Sequence, residues 1–254
     1  MSEIAVAVIG ARGRMGATVC RAIEASPGMH VVGAFDVGDD LGDLGGAEVV
    51  VEFSVPAASP TNVGYCVARG VHVVVGTTGW DEGRLATLRD QVAAASPARA
   101  GGGVGVLIAP NFAIGAILMM RFAQQAARFF ESVEIIELHH PAKVDAPSGT
   151  AVRTAQLVAG ARDAAGLGRV PDATTTDPDG ARGAAVDGIP VHSVRLRGLI
   201  AHQEVLFGSV GETLTIRHDS LDRESFMAGV LEGVRGVAGH PGVTVGLEHY
   251  LGIG

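Results

Sequence analysis

Aromatic side chains are scarce in this chain, at 4% of 254 residues, and charged residues make up only 18%. With so few rings, a core of this size has to be built from Ala, Val, Leu and Ile, and the 47% hydrophobic content supplies them. Low charge together with high apolar content excludes a disordered chain. Basic residues are also in short supply, 19 Lys and Arg against 27 Asp and Glu, a net charge of −8. Nucleic-acid binding, which calls for basic patches and stacking surfaces, is not expected. A local anion site remains open, because a site needs only local positive charge. The two cysteines, Cys20 and Cys66, each fall in a predicted helix and read as reduced, buried thiols rather than a disulfide framework or zinc site. No apolar run approaches the about 18 residues of a membrane span. The opening MSEIAVAVIG has no basic leader segment. The expectation is a soluble, cytoplasmic protein with no membrane partner.

The first half alternates β-branched runs with helical stretches. Strands are expected at 4–10, 30–36, 47–54, 72–79 and 104–110. Helices are expected at 13–26, at 59–69 with Ser59 as N-cap and Pro60 in the first turn, and at 81–96. Continuous apolar strands separated by helices predict an α/β fold whose parallel sheet is covered on both faces. The second half differs. A helix over 114–130, a strand over 132–140 and a helix near 149–166 precede a Pro/Gly/Asp/Thr-rich stretch, 168–188, that reads as a long loop. IPVHSVRLRG, AHQEVLFG and ETLTIRHDS then read as strands with tight turns, and 222–239 as a final amphipathic helix. This pattern suggests a smaller α+β domain with a mixed sheet.

Gly10, Ala11, Arg12, Gly13, Arg14, Met15 and Gly16 lie between the first strand and the first helix. Glycines there let the backbone turn tightly and approach a pyrophosphate, which the helix N-terminus then meets with free N–H groups. The spacing is GxxGxxG rather than GxGxxG, but Asp36 ends the second strand 20 residues beyond Gly16, where an acid bonds ribose hydroxyls. Asp36 favours NADH, whereas Arg12 and Arg14 can attract the extra phosphate of NADPH, so both cofactors are expected to work. Gly76, Thr77 and Thr78, and Ala109, Pro110, Asn111 and Phe112, sit at carboxyl ends of strands, where ligands bind in open α/β sheets.

The segment Glu137 to Ala151 holds the chemistry. His139, His140 and Lys143 leave a strand end, and Ser148-Gly149-Thr150 opens a helix. Amides at a helix start lack intrahelical partners and hold anions, and Lys143 adds a full positive charge. A neighbouring His exchanges protons near neutral pH. Adjacent strand residues face opposite ways, so His139 and His140 need not share a role and no metal site is expected. Arg195 and Arg197 alternate along VRLRG and are expected to share a face, lining a pocket, pairing with acids or meeting a subunit. His202, His218 and His249 read as structural or solvent-facing.

GARGRMG, VGTTG, APNFAIG, ELHHPAKVDAPSGTA and VRLRGLIAHQEVLFG together resemble the 4-hydroxy-tetrahydrodipicolinate (dihydrodipicolinate) reductases, in family order and over nearly the whole chain. The short length resembles the actinobacterial branch. The resemblance implies a Rossmann-type domain, 1–112 with 222–254, and a substrate-binding and oligomerisation domain, 113–221, that builds a homotetramer. It implies reduction of a small dicarboxylate heterocycle by NADH or NADPH in diaminopimelate and lysine biosynthesis. His139 matches the family's proton donor/acceptor, Lys143 its proton donor and substrate-binding lysine, and His140 a substrate-binding position. Gly149 and Thr150 match the pair that binds a substrate carboxylate. Gly10 to Met15 match the pyrophosphate loop, Asp36 the ribose acid, and Gly76 to Thr78 and Ala109 to Phe112 the nicotinamide-side loops. Two competing readings are a dehydrogenase of another small dicarboxylate and a non-catalytic nucleotide sensor on the same scaffold. The first would lack HHxxKxDAPSGT, and the second would not need the His-Lys cluster.

Overall fold

The computed structural model describes residues 3–95 and 102–253. These form two compact units, Met1–Ala113 with Phe226–Gly254, and Ile114–Ser225. The second crossing therefore falls at 225/226, four residues beyond the expected one.

The first unit carries six parallel strands: β1 (Ile4–Ile9), β2 (Met29–Phe35), β3 (Val49–Glu52), β4 (His72–Val75), β5 (Gly105–Ile108) and β11 (Gly242–Val245). Their order across the sheet is β11-β5-β4-β3-β1-β2. β3, β4 and β5 are buried at every position, as befits strands covered on both faces. The helices are α1 (Arg14–Glu24), α2 (Ser59–Ala68), α3 (Glu82–Ala95) and α6 (Met227–Gly236). Ser96, the expected end of the third helix, lies outside the described residues. The chain winds outward from β1 to β2, then crosses back to β3. That reversal leaves a crevice at the carboxyl ends of β1 and β3, the position where doubly wound sheets take ligands.

The second unit carries α4 (Ile114–Ala126), β6 (Ser132–His139), α5 (Gly149–Ala164), β7 (Ala184–Val186), β8 (Ile189–Arg195), β9 (Ala201–Ser209) and β10 (Glu212–Ser220). The sheet order is β10-β9-β6-β8-β7, with β6 and β8 parallel and the other pairs antiparallel. The α/β class with a second, mixed sheet is the one read from the sequence.

Four expectations change. Ser59 is the first residue of α2 and Ala58 its N-cap; the Ser59 hydroxyl instead donates to the buried Glu52 carboxylate at 2.7 Å. The expected loop over 168–188 contains β7, and β11 is a further strand. Both are only three or four residues long and incompletely buried, too short to show a period. Arg195 and Arg197 do not share a strand face, because β8 ends at Arg195 and Arg197 lies exposed in the turn beyond.

Candidate active site

In the first unit, β1 runs straight into the glycine-rich loop. Gly10 adopts φ +84, and a Cβ there would lie 2.3 Å from the Phe53 carbonyl oxygen at the end of β3. A Cβ on Gly16 would lie 2.1 Å from the Gly10 carbonyl. These two glycines therefore let the first turn of α1 close against the strand ends. No side chain caps α1 at Gly13, and no acid occupies its first turn, so the positive end of the helix dipole is left for an anion. A cavity of about 400 Å³ opens here, lined by residues that include Gly10, Gly13, Asp36, Asp39, Ser54 and Asn62.

Asp36 sits one residue beyond β2, and its Oδ2 accepts the Arg12 backbone N–H at 2.7 Å. Backbone hydrogen bonds, from Val37 first and then Arg12, hold its carboxyl below the ordinary value. Asp39 binds the Arg12 guanidinium at 2.5 Å and accepts the Asp36 backbone N–H at 2.8 Å. The hydrogen bond from Arg12 is the main reason that the Asp39 carboxyl is lowered as well. Arg12 is thus already engaged by a carboxylate, while Arg14 is exposed at the start of α1.

Gly76, Thr77 and Thr78 follow β4, and Ala109, Pro110, Asn111 and Phe112 follow β5, next along the sheet from β3. The Phe112 ring packs on Phe53 with centroids 5.7 Å apart. Thr77 is 7% exposed, and its buried hydroxyl has no hydrogen-bond partner among the described residues. A buried polar atom in that condition points to a ligand. The open glycine cradle, the uncapped helix start and this orphan hydroxyl are features that fit a pyridine nucleotide.

In the second unit, β6 delivers Glu137 and His139 to one face of the strand. Glu137 is fully buried. Its carboxylate meets His139 Nδ1 at 2.5 Å, takes a two-pronged hydrogen bond from Arg195 at 2.8 and 2.9 Å, and accepts the Ser148 backbone N–H at 3.2 Å. Burial works against its ionisation and is the largest single influence, but hydrogen bonds from His139, Arg195 and Ser193 outweigh it and hold the group at about 2. Arg195 also donates to the Asp145 backbone carbonyl at 2.7 Å, tying down the loop before α5.

That helix begins as expected. Ser148 is its N-cap, with its hydroxyl accepting from Ala151 N–H at 3.2 Å, and no acid lies in the first turn. Lys143 Nζ donates to Asp145 Oδ1 at 2.7 Å. Burial opposes the ionisation of Asp145, but Lys143 and the Gly149 backbone N–H outweigh it and lower its carboxyl. Asp145 is thus a carboxylate paired with Lys143 in the loop just before α5. His139, Lys143, Ser148 and Gly149 gather at the carboxyl end of β6, with His140 immediately past the strand. Among the described residues there is no group of three His, Cys, Asp or Glu able to hold a metal.

Sequence reasoning overlooked three features. Glu137, fully buried at the centre of this cluster, was not singled out, and the i, i+2 spacing of an acid and a His on one strand was the available signal; Arg195, expected to line a pocket, pair with acids or meet a subunit, pairs with Glu137. Asp39 constrains Arg12 from a turn that carries no motif. Lys143 is also the only lysine in the chain, which a residue count reveals at once.

A glycine cradle on a doubly wound sheet in one unit, and in the other a His-Lys cluster where a helix begins, are the marks of a pyridine-nucleotide oxidoreductase. The model for "Dihydrodipicolinate reductase, N-terminus" matches residues 4–112, and that for "Dihydrodipicolinate reductase, C-terminus" matches 115–251. The chain belongs to the dihydrodipicolinate reductase family. The 4-hydroxy-tetrahydrodipicolinate reductase of Cutibacterium acnes is 59% identical over 250 residues, covering 98% of this chain and 99% of that protein. That of Streptomyces coelicolor is 60% identical over 253 residues, covering 99% of each. Among solved structures, a dipicolinate-bound dihydrodipicolinate reductase from Paenisporosarcina sp. TG-14 superposes with a TM-score of 0.81 at 37% identity, covering 98% of this chain and 99% of that one.

Proposed function

We propose that this chain reduces (2S,4S)-4-hydroxy-2,3,4,5-tetrahydrodipicolinate to tetrahydrodipicolinate, with NADH or NADPH as donor and loss of water, in the diaminopimelate and lysine pathway. The observation that carries the reading is the placing of His139, Lys143 and the start of α5 at one strand end, in a chain 60% identical over 253 residues to a curated reductase. Loss of water, a proton from C5 and the hydroxyl from C4, leaves a C4=C5 bond conjugated with the ring imine, and the reduced nicotinamide, when bound, would supply a hydride to C4 of that bond.

The chain's own residues do the rest. The Gly149 and Thr150 amides and the α5 dipole hold one substrate carboxylate, and Lys143 and His140 hold the other charged edge of the ring. Asp145 gives way to the incoming carboxylate. Fixing a flat dianion in this way converts an encounter into an oriented reaction. His139 and Lys143 carry protons beside the ring, where negative charge develops toward its nitrogen as hydride arrives. Gly10–Gly16 and Asp36 hold the dinucleotide's pyrophosphate and ribose.

The test is NADH oxidation dependent on the freshly made condensation product of pyruvate and aspartate semialdehyde. Turnover with that compound and none with pyruvate, oxaloacetate or aspartate is expected. Turnover with one of the latter, or none with any, would overturn the proposal.

We also propose a homotetramer built on the second sheet and a cytoplasmic location. Ile136, Leu138, Val194 and Leu206 share the sheet face opposite the Glu137 side and are only half-buried. Such a face is stabilised by a partner. Light scattering should give a mass near four times the 25.8 kDa of one chain; a monomer mass would refute the assembly.

A further inference from the structure

The proton chemistry assigned to His139 leaves open what fixes its ring and which nitrogen faces the substrate. We propose that Glu137 is a positioning residue that holds His139 with its proton on Nδ1, making Nε2 the atom that exchanges protons with the substrate, and that ties the ring to the start of α5. The inference rests on the reaction proposed above and deepens it.

The contact between Glu137 Oε2 and His139 Nδ1 is 2.5 Å. A hydrogen bond needs one donor, and everything else around Glu137 argues that the carboxylate is not it. Two Arg195 N–H groups and the Ser148 N–H already donate to it, and Ser193 on β8 lies opposite it in register. A carboxylate held at about 2 carries no proton in the working range. The proton therefore lies on Nδ1, and Nε2 is left to accept or deliver one. His139 is 13% exposed at its side chain and Glu137 0%, so the ring has little room to turn. The charged groups around the pair are Arg195 from β8, Lys143 and Asp145 from the loop between β6 and α5, and the adjacent His140. Arg195 does two jobs here. Its charge keeps Glu137 from taking the proton, and its bond to the Asp145 carbonyl holds the loop that carries Lys143.

One carboxylate thus sets the ring of the proton-carrying His and the entrance of the substrate helix together. A purely structural buried ion pair would cost stability when broken but would leave the ring tautomer and the pH profile unmoved. The test uses the full-length enzyme and Glu137→Gln. The glutamine keeps the size; with its oxygen at the Oε1 position it still accepts from Arg195 Nη2 and the Ser148 N–H, while its NH2 at the Oε2 position gives up the Arg195 Nη1 bond, donates to His139 Nδ1 and drives the ring proton to Nε2.

Three results are expected. The kcat falls by about 10²-fold or more while KM for the heterocycle and the NADH dissociation constant change by less than about fivefold. The alkaline limb of kcat/KM moves to lower pH by about one unit. Nitrogen-15 spectra of labelled histidine place the His139 proton on Nδ1 in wild type and on Nε2 in the variant. Unchanged kcat with a wild-type pH profile, or a wild-type ring protonated on Nε2, would overturn the proposal. If Glu137→Gln does not fold, the wild-type spectrum still decides. If the wild-type enzyme does not turn over the heterocycle, the reaction proposed above falls, and the spectrum separately settles whether Glu137 sets the ring.

Discussion

Lys143 is the only lysine in the chain, and its ammonium donates to the Asp145 carboxylate. Amine chemistry on this protein therefore has one side-chain target besides the terminal amine. Trinitrobenzenesulfonate should modify one side chain, abolish turnover, and be slowed by dipicolinate. Lys143→Ala should lower kcat by about 10²-fold or more with NADH binding near normal by fluorescence titration; equal loss of both would argue against the role. Asp39 is the second residue whose consequence is specific. It neutralises Arg12 and presents a carboxylate beside Asp36, so a 2′-phosphate meets two negative groups and an occupied guanidinium. Asp39→Asn should raise the NADPH-to-NADH ratio of kcat/KM severalfold. No change in that ratio would leave Arg14 as the phosphate partner.

At the scale of elements, α5 separates the requirements of folding from those of binding. Gly149 is its first residue, and a Cβ there meets nothing within 4 Å. Alanine is the better helix former, so Gly149→Ala should keep or raise the melting temperature. The same methyl group sits against the amide proposed to hold the substrate carboxylate, so KM for the heterocycle should rise severalfold. A variant with lowered melting temperature and unchanged KM would reverse the assignment. The contrast with Gly10 and Gly16 is instructive, since a side chain at either would strike backbone directly.

The elements also show what was legible in the sequence. Long periods and strong punctuation were readable: β1 into GARGRMG into α1, and ELHH into SGTA. Elements of three or four residues, such as β7 and β11, were not, because two side chains per face cannot establish a pattern. The assignment of Ser59 as a cap failed for a tertiary reason: the buried Glu52 carboxylate also draws on Ser54 and Asn62, and it claims the hydroxyl. The shared face expected for Arg195 and Arg197 failed because the strand ended between them, while the acid partner among the alternatives for Arg195 is Glu137. The Glu137 network needed β6 and β8 to be paired in space, across 58 residues of sequence.

At the scale of the whole molecule, the buried Glu137 contributes to the response to pH. The folded value of Glu137, about 2, lies below its ordinary 4.5. The unfolded chain therefore binds this proton more readily, and the stability that Glu137 contributes is complete above pH 4.5 and is lost as pH falls to about 2. Denaturant midpoints measured from pH 6 downward should drop most steeply inside that window, and Glu137→Gln should make the drop shallower. An unaltered slope would mean that other carboxylates govern acid unfolding.

The nucleotide-binding sheet takes its outermost strand, β11, from Gly242–Val245, while β5 beside it comes from Gly105–Ile108. A ribosome must therefore release the tail before that sheet is finished, whereas the intervening unit, Ile114–Ser225, is one uninterrupted stretch and can mature first. Until the tail arrives, β5 offers a bare apolar rim to any strand nearby. Deleting the β11 segment, or stalling synthesis before it, should thus yield clumping chains that still contain a sound second unit.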